Sequence, residues 1–285
     1  MSALALQLEV IPCPVCGAAG ATPLWSKDDA HYVCCPHCTL VYENPRLTAE
    51  ALKELYSRPS YFVQEDADQS PVGYQNYFAQ CTPQLNEEYF RIVQRAVPGG
   101  HELLDVGCGL GGVLLAAQHD GWDAVGVELS SWAVKEGRKH GARILEGSLV
   151  EAGLQASRFD AVSMFDVLEH LPSPVPTLRE AHRLLKPGGA LIMETPNIGG
   201  FFARSVYREN SDLVKPRAHI CLYSTRSARM LLAKLPFARV RIETFPYCRR
   251  LSPGYFLSVL RSRVRRESSP VQLTWNDSLR IVAWK

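Results

Sequence analysis

The segment Leu103-Leu104-Asp105-Val106-Gly107-Cys108-Gly109-Leu110-Gly111-Gly112 sets four glycines between a short apolar strand and the apolar run GVLLAAQHDGW. Glycines at a strand-to-helix turn accept backbone angles closed to other residues and let the main chain approach a ligand closely. Twenty-one residues beyond Gly107, Glu128 ends the apolar stretch DAVGVE, where a carboxylate can accept both hydroxyls of a ribose. A dinucleotide-binding dehydrogenase shares both features, so the turn alone defines a nucleotide site and not a reaction.

From His101 onward the apolar bursts ELLDVG, DAVGVEL, ARILEG, FDAVSMFDVL and GGALIMETP are short, bounded by turn residues and separated by helical stretches. That alternation predicts a parallel sheet with helices on both faces, a doubly wound, Rossmann-like α/β fold. ARVRIETF and DSLRIVAWK predict two more strands with no crossover helix in apolar register between them, hence an antiparallel pair at one sheet edge. Three zones follow: residues 1–45 rich in Cys and Pro, a helical connector and cofactor lid over 46–98, and the α/β domain over 99–285. Within the last, an insert near 198–235 is placed to cap a substrate and 247–269 is strongly basic.

The motifs beyond the glycine turn separate the two classes. DVGCGLGG resembles the first motif of class I S-adenosylmethionine-dependent methyltransferases, and VGVELS resembles their second strand with its acidic end. RFDAVSMFDVLEHLPSP resembles the fourth-strand region of the branch that includes ubiquinone-biosynthesis and sugar methyltransferases, and LREAHRLLKPGGALIMETPN resembles the helix, turn and fifth strand that follow. The resemblance runs from Glu102 to Asn197 and implies a seven-stranded methyltransferase sheet with S-adenosylmethionine as cofactor. It implies that Asp105, Gly107 and Gly109 meet the cofactor, with the glycines flanking its methionine moiety. Glu128 would hold the ribose, Leu129 would pack on the adenine, and Phe165 would pass its backbone beneath. Ser148 stands where the family usually has an acid facing the adenine amino group. A hydroxyl can still accept there, and Ser148→Asp is expected to tighten binding.

Cysteine usage speaks for metal. Five of the nine cysteines fall within the first forty residues, and Cys13-Pro-Val-Cys16 and Cys35-Pro-His-Cys38 are two CxxC knuckles with eighteen residues between the second and third ligands. That spacing predicts a structural zinc ribbon of four thiolates, closed to substrate. Cys34 and His37 are spare donors, but either would spoil the matched CPxC turns. Cys81, Cys108, Cys221 and Cys248 are scattered singly and read as small apolar side chains. Many methyltransferases of the resembling branch carry the same ribbon, among them sugar C-methyltransferases whose longer carboxyl-terminal domain has no counterpart here.

Methyl transfer needs an acceptor atom held about 3 Å from the methyl and, for a hydroxyl acceptor, a group that takes its proton. His219, in KPRAHICLYST, arrives with Arg217 and Tyr223 in the insert and is the first candidate for general base, ahead of His170. Asp166, Glu169 and His170 in FDVLEHLP fall at i, i+3 and i+4, one face of a helical turn, and could bind Mg²⁺; capping of the loop is the plainer role of the same residues.

The expected acceptor is a small molecule, methylated on oxygen or carbon: a sugar, polyketide, phenolic or quinone-like compound. An RNA methyltransferase is the alternative enzyme, disfavoured because the Asn/Asp-Pro-Pro-Tyr motif is missing after strand four. A regulatory module that only binds the cofactor is the non-enzyme alternative. Net charge of +2 selects no partner. Arg249, Arg250, Arg261, Arg263, Arg265 and Arg266 nevertheless concentrate in one stretch whose apolar stripe predicts a short amphipathic basic helix. It would suit a phosphorylated or lipid-linked acceptor and peripheral membrane contact better than nucleic acid. No long uncharged apolar run and no export signal is present, so a cytoplasmic protein is expected. Oligomeric state and acceptor are not written in the sequence.

Overall fold

The computed structural model describes residues 7–57, 83–200, 203, 208–211, 213–245 and 278–285. Its amino-terminal strands are β1 (Leu8–Glu9), β2 (Thr22–Lys27), β3 (Ala30–Cys34), β4 (Val41–Glu43) and β5 (Arg46–Leu47), followed by helices α1 (Ala49–Ser57) and α2 (Pro83–Ala96). Then come β6 (Glu102–Val106), α3 (Gly112–His119), β7 (Asp123–Glu128), α4 (Ser131–Lys139), β8 (Ile144–Glu146) and β9 (Phe159–Phe165). The chain continues through α5 (Pro174–Leu184), β10 (Leu185–Pro196), β11 (Cys221–Leu222), α6 (Thr225–Leu232), β12 (Arg239–Phe245) and β13 (Ser278–Trp284). Residues 58–82, with Tyr61, Phe62, Tyr74, Tyr77 and Phe78, and the basic stretch 247–269 lie outside the described residues.

Seven strands make the main sheet in the order β12-β13-β10-β9-β6-β7-β8. Neighbours are parallel except at β13, which runs antiparallel to both β10 and β12. The last strand of the chain therefore lies inside the sheet and β12 takes the edge. Side-chain chemistry accounts for the order: Leu279, Ile281, Val282 and Ala283 of β13 are buried, whereas most of RVRIETF in β12 is exposed. An edge strand carrying arginine and glutamate also resists pairing with other chains. The ion pair Arg280–Glu194, whose carboxylate is buried, ties β13 to β10.

Both faces of the sheet are covered, as the near-continuous apolar strands require. Leu103 packs with α2 and α3 through Phe90, Val93 and Leu114, while its neighbour Leu104 packs on the opposite side with Leu178 and Leu184 of α5 and Leu231 of α6. The two-residue period of a strand sends consecutive leucines to opposite layers.

The front of the chain forms a second sheet in the order β11-β4-β3-β2. Three of its strands are contiguous in sequence; the fourth, β11, comes from the insert that follows β10. Trp25, Tyr32 and Val41 of the ribbon share one apolar cluster with Ile198, Val214 and Leu222 of that insert. Among the described residues, no helix is long and apolar enough to cross a membrane.

Candidate active site

The glycine turn follows β6, which lies between β9 and β7 in the main sheet. Gly107 adopts φ +66°, and a Cβ there would stand 2.7 Å from Val167 Cγ2, so the position excludes any side chain on two counts. Gly107 and Cys108 donate their N–H groups to Val127 O, binding the turn to β7. At the end of β7 the Glu128 carboxylate accepts from Gly109 N at 3.0 Å through Oε2 and from Ser130 N at 2.9 Å through Oε1. It is buried, which raises its pKa, and each oxygen keeps a lone pair for a further donor. Asp105 is likewise buried, accepts from Ser163 Oγ at 2.6 Å, and is pushed up to about 7 by desolvation.

These groups open into one cavity of about 620 Å³, within the range of small-molecule sites. Its wall includes Asp105, Gly107, Gly109, Glu128, Leu129, Ser148, Phe165 and His170. Helix α2 closes one side with Leu85, Asn86 and Tyr89; the Tyr89 ring stacks on Phe165 with centroids 4.0 Å apart. Sequence reasoning singled out neither Asn86 nor Tyr89, because an amphipathic helix shows which stripe is apolar and not which part of it stops short of the core.

Ser148 is engaged locally. Its hydroxyl donates to Glu151 Oε2 at 2.7 Å, and that carboxylate, held also by Lys53, is pulled down to about 2. An aspartate at position 148 would set a second carboxylate against Glu151. With Glu151 at this distance, Ser148→Asp is expected to weaken cofactor binding by about fivefold through like-charge repulsion. The double variant S148D/E151Q should recover that loss. Titration calorimetry on both variants checks this, and tighter binding by the single variant would remove Glu151 from the account.

Beyond β9 the chain does not form a regular helix. Asp166 turns with φ +54° and accepts from Tyr89 Oη at 3.3 Å, and Leu168–His170 is a single 3-10 turn. The three candidate ligands consequently do not share a face. Glu169 points into the core, where Thr195 donates to its Oε2 at 2.8 Å and burial beside Asp166 lifts its pKa to about 8. His170 faces the cavity. The grouping that converges is Glu169, His170 and His219, with one ligating atom from each within 4.8 Å of the others.

His219 is not on the cavity wall. It stands behind His170, rings edge to face at 5.0 Å, and is 4% exposed. Each imidazole has Nδ1 beside a carbonyl, at 2.7 Å from Ala218 O for His170 and 2.8 Å from Leu213 O for His219. A carbonyl can only accept, so Nδ1 carries the proton and Nε2 the lone pair. Desolvation holds His170 down to about 4 and His219 well below the usual histidine range. Arg217 pairs with Glu43 of β4, and Tyr223 is buried.

Cys13, Cys16, Cys35 and Cys38 converge with their sulfurs within 4.8 Å of one another, Cys13 to Cys38 and Cys16 to Cys35 at 3.4 Å. Each knuckle is closed by a backbone bond, Gly17 N to Cys13 O and Thr39 N to Cys35 O, with φ +78° at Gly17 and +63° at Thr39. Cys34 stays outside the four. Four thiols around one point, with amides turned back on the knuckles, fit a tetrahedral thiophilic ion.

The family model described as a methyltransferase domain matches residues 82–241, more than half of the chain, and the chain belongs to that family. With the fold and the glycine loop, this gives the chain a methyltransferase domain of the class I, S-adenosylmethionine-dependent kind. A ubiquinone biosynthesis O-methyltransferase of Xanthomonas oryzae pv. oryzae is 39% identical over 108 residues, 34% of this chain and 44% of that one. One of Pseudomonas aeruginosa is 33% identical over 116 residues, 37% of this chain and 49% of that one. The chain thus spans about half the length of the curated relatives it matches. Among solved structures, a methyltransferase of Archaeoglobus fulgidus superposes with TM-score 0.56 at 20% identity, covering 74% of this chain and all of that one. A phosphoethanolamine N-methyltransferase of Haemonchus contortus superposes with TM-score 0.54 at 18% identity, covering 86% and 62%. At such identities the likeness is one of fold.

Proposed function

We propose that the protein transfers the methyl group of S-adenosylmethionine to a hydroxyl of a phenolic or quinone-like small molecule, with His170 taking the proton. The observation that carries this reading is the position of His170: its imidazole lies on the wall of the cavity that also holds Glu128 and the glycine turn. Beside it Tyr56, Val167, Leu171 and Pro172 offer a largely apolar end suited to a ring. The cofactor supplies an activated methyl on a good leaving group. What remains for the chain is to orient the acceptor, exclude water and accept one proton, and burial keeps His170 in the neutral form that can do so. His219 acts from behind, as a partner that fixes the ring of His170. The names of the Xanthomonas and Pseudomonas relatives support an oxygen acceptor.

The four front cysteines would hold a structural zinc ion. Mg²⁺ has no place in this reading: Asp166 turns to Tyr89, and the set that converges, two imidazoles and one carboxylate, suits a softer transition ion better than one that seeks six oxygens. The arginines of 247–269 make a phosphate or lipid tail on the acceptor worth including in the search, and the cytoplasm is the proposed compartment.

The test is incubation with labelled S-adenosylmethionine and a panel of catechols and hydroquinones, with and without phosphate or prenyl groups, beside sugars and bulk RNA. Label in a phenolic product supports the reading; label in RNA, or in none of the small molecules, overturns it.

A further inference from the structure

The ribbon is joined to the acceptor side of the cavity through residues 213–226. Strand β4 pairs with β11 through Tyr42–Cys221 and Val41–Leu222, and Glu43 N donates to Ile220 O at 3.0 Å. The Glu43 carboxylate, fully buried, accepts from Arg217 N at 3.0 Å and forms an ion pair with the Arg217 guanidinium. Arg217 itself has φ +66°, a conformation that such a clasp can hold. Lys27 donates to Val214 O at 2.7 Å, and Tyr56 of α1 donates to Ala218 O at 3.2 Å. The second knuckle is tied directly: Arg226 donates to His37 O at 2.7 Å, and the Thr39 and Ser224 hydroxyls lie 2.8 Å apart.

Within that same stretch Ala218 O and Leu213 O receive the Nδ1 protons of His170 and His219. Strand β11 is two residues long. A strand that short has no stability of its own and is ordered by what it pairs with, which here is β4. The ribbon in turn is short, and domains that small rely on their metal to fold. The cofactor side is built otherwise, since Gly107 and Gly109 are bonded to Val127 and Glu128 of β7, a paired inner strand of the main sheet.

We propose that the ribbon is the positioning element for the acceptor half of the active site: its metal-held fold orders β11 and, through the Arg217–Glu43 clasp and the Arg226–His37 tie, sets the rings of His170 and His219. Metal loss then disables methyl transfer while cofactor binding persists. The inference rests on the proposed zinc occupancy and on the proposed role of His170, and its metal, hydrogen-exchange and calorimetric readouts need no acceptor.

The experiment begins with metal analysis of the full-length protein, where about one zinc per chain is expected. Zinc is then withdrawn with a chromogenic chelator, and amide hydrogen exchange and S-adenosylmethionine calorimetry are recorded on both forms. Exchange in 213–224 should rise at least tenfold in the zinc-free protein, exchange around Gly107–Gly111 should not change, and cofactor affinity should stay within about threefold. Loss of cofactor binding together with the acceptor-side protection would make the metal a support of the whole fold and overturn the proposal. Unchanged exchange in 213–224 would make the ribbon an independent cap and overturn it equally. Arg226→Ala, which keeps all four cysteines, gives a second arm. It should retain zinc and cofactor affinity, raise exchange in 213–224 severalfold and lower kcat at least fivefold on an acceptor taken from the panel, with partial rescue by Arg226→Lys. Wild-type exchange and kcat in R226A would sink the assigned tie, and absence of zinc from the purified protein would fail the occupancy reading before either comparison is made.

Discussion

Glu128→Ala is expected to weaken S-adenosylmethionine binding by about a hundredfold or more. The carboxylate makes two bonds that shape the site, to Gly109 N and Ser130 N, and keeps lone pairs directed at the cavity. Bonds from neutral donors to a buried carboxylate are worth roughly 1.5–3 kcal/mol each, and the loss of two of them to a ribose, with two backbone amides left unpaired, exceeds the ~2.7 kcal/mol that a hundredfold represents. Glu128→Gln separates the contributions, because an amide keeps the shape and one acceptor oxygen while turning a donor toward one of the two amides. Its affinity should lie between those of the wild type and of E128A. Calorimetry reads the affinity, and thermal unfolding shows whether the variant is folded. A folded E128A protein with unaltered affinity would mean that the ribose is held elsewhere.

His170→Ala should lower kcat by about a hundredfold and leave cofactor affinity within twofold. General-base catalysis contributes about 10²–10⁴, and the lower end is chosen because a base held near 4 is weak for a phenolic proton. The pH dependence has a definite sign. An imidazole with the usual value near 6.5 would lose its lone pair to protonation between pH 7 and 6. Here desolvation places that loss at about 4, so the rate in the wild type should not fall as the pH is lowered from 7 to 5. A profile halved near pH 6.5 would show that bound substrate returns His170 to water-like surroundings, and wild-type turnover in H170A would end its role as base. His219→Ala should cost less, since that ring reaches the cavity only through His170.

The fold was legible because its signals are local and strong. Short apolar bursts between turn residues specify a parallel sheet, four glycines in ten residues admit very few turns, and paired CxxC knuckles leave little choice of metal geometry. The residues expected around the cofactor, from Asp105 to Phe165, line one cavity because the ends of parallel strands all open toward the same edge of the sheet.

What the chain could not announce was long-range geometry. The order of its last two strands depended on comparing RVRIETF with SLRIVAW as sheet neighbours, and an antiparallel pair inferred from a missing crossover helix does not say which member lies inside. The priority of His219 over His170 rested on an insert covering the pocket. Tertiary packing instead sets His219 behind His170, and a 3-10 turn with a left-handed Asp166 sends Glu169 into the core and His170 into the cavity. The three residues Asp166, Glu169 and His170 leave the expected common helical face because helical periodicity fails at a positive-φ residue.

Sequence by itself determined the class of the protein, its cofactor loop and its paired knuckles, since each is a contiguous run of residues whose chemistry and spacing suffice. Only the tertiary structure decided that the front sheet borrows its fourth strand from the methyltransferase insert and that Glu43 meets Arg217 across 174 positions of chain. Pairing between distant segments is set by which edges and charges remain unsatisfied once each part has folded, and no local pattern records that.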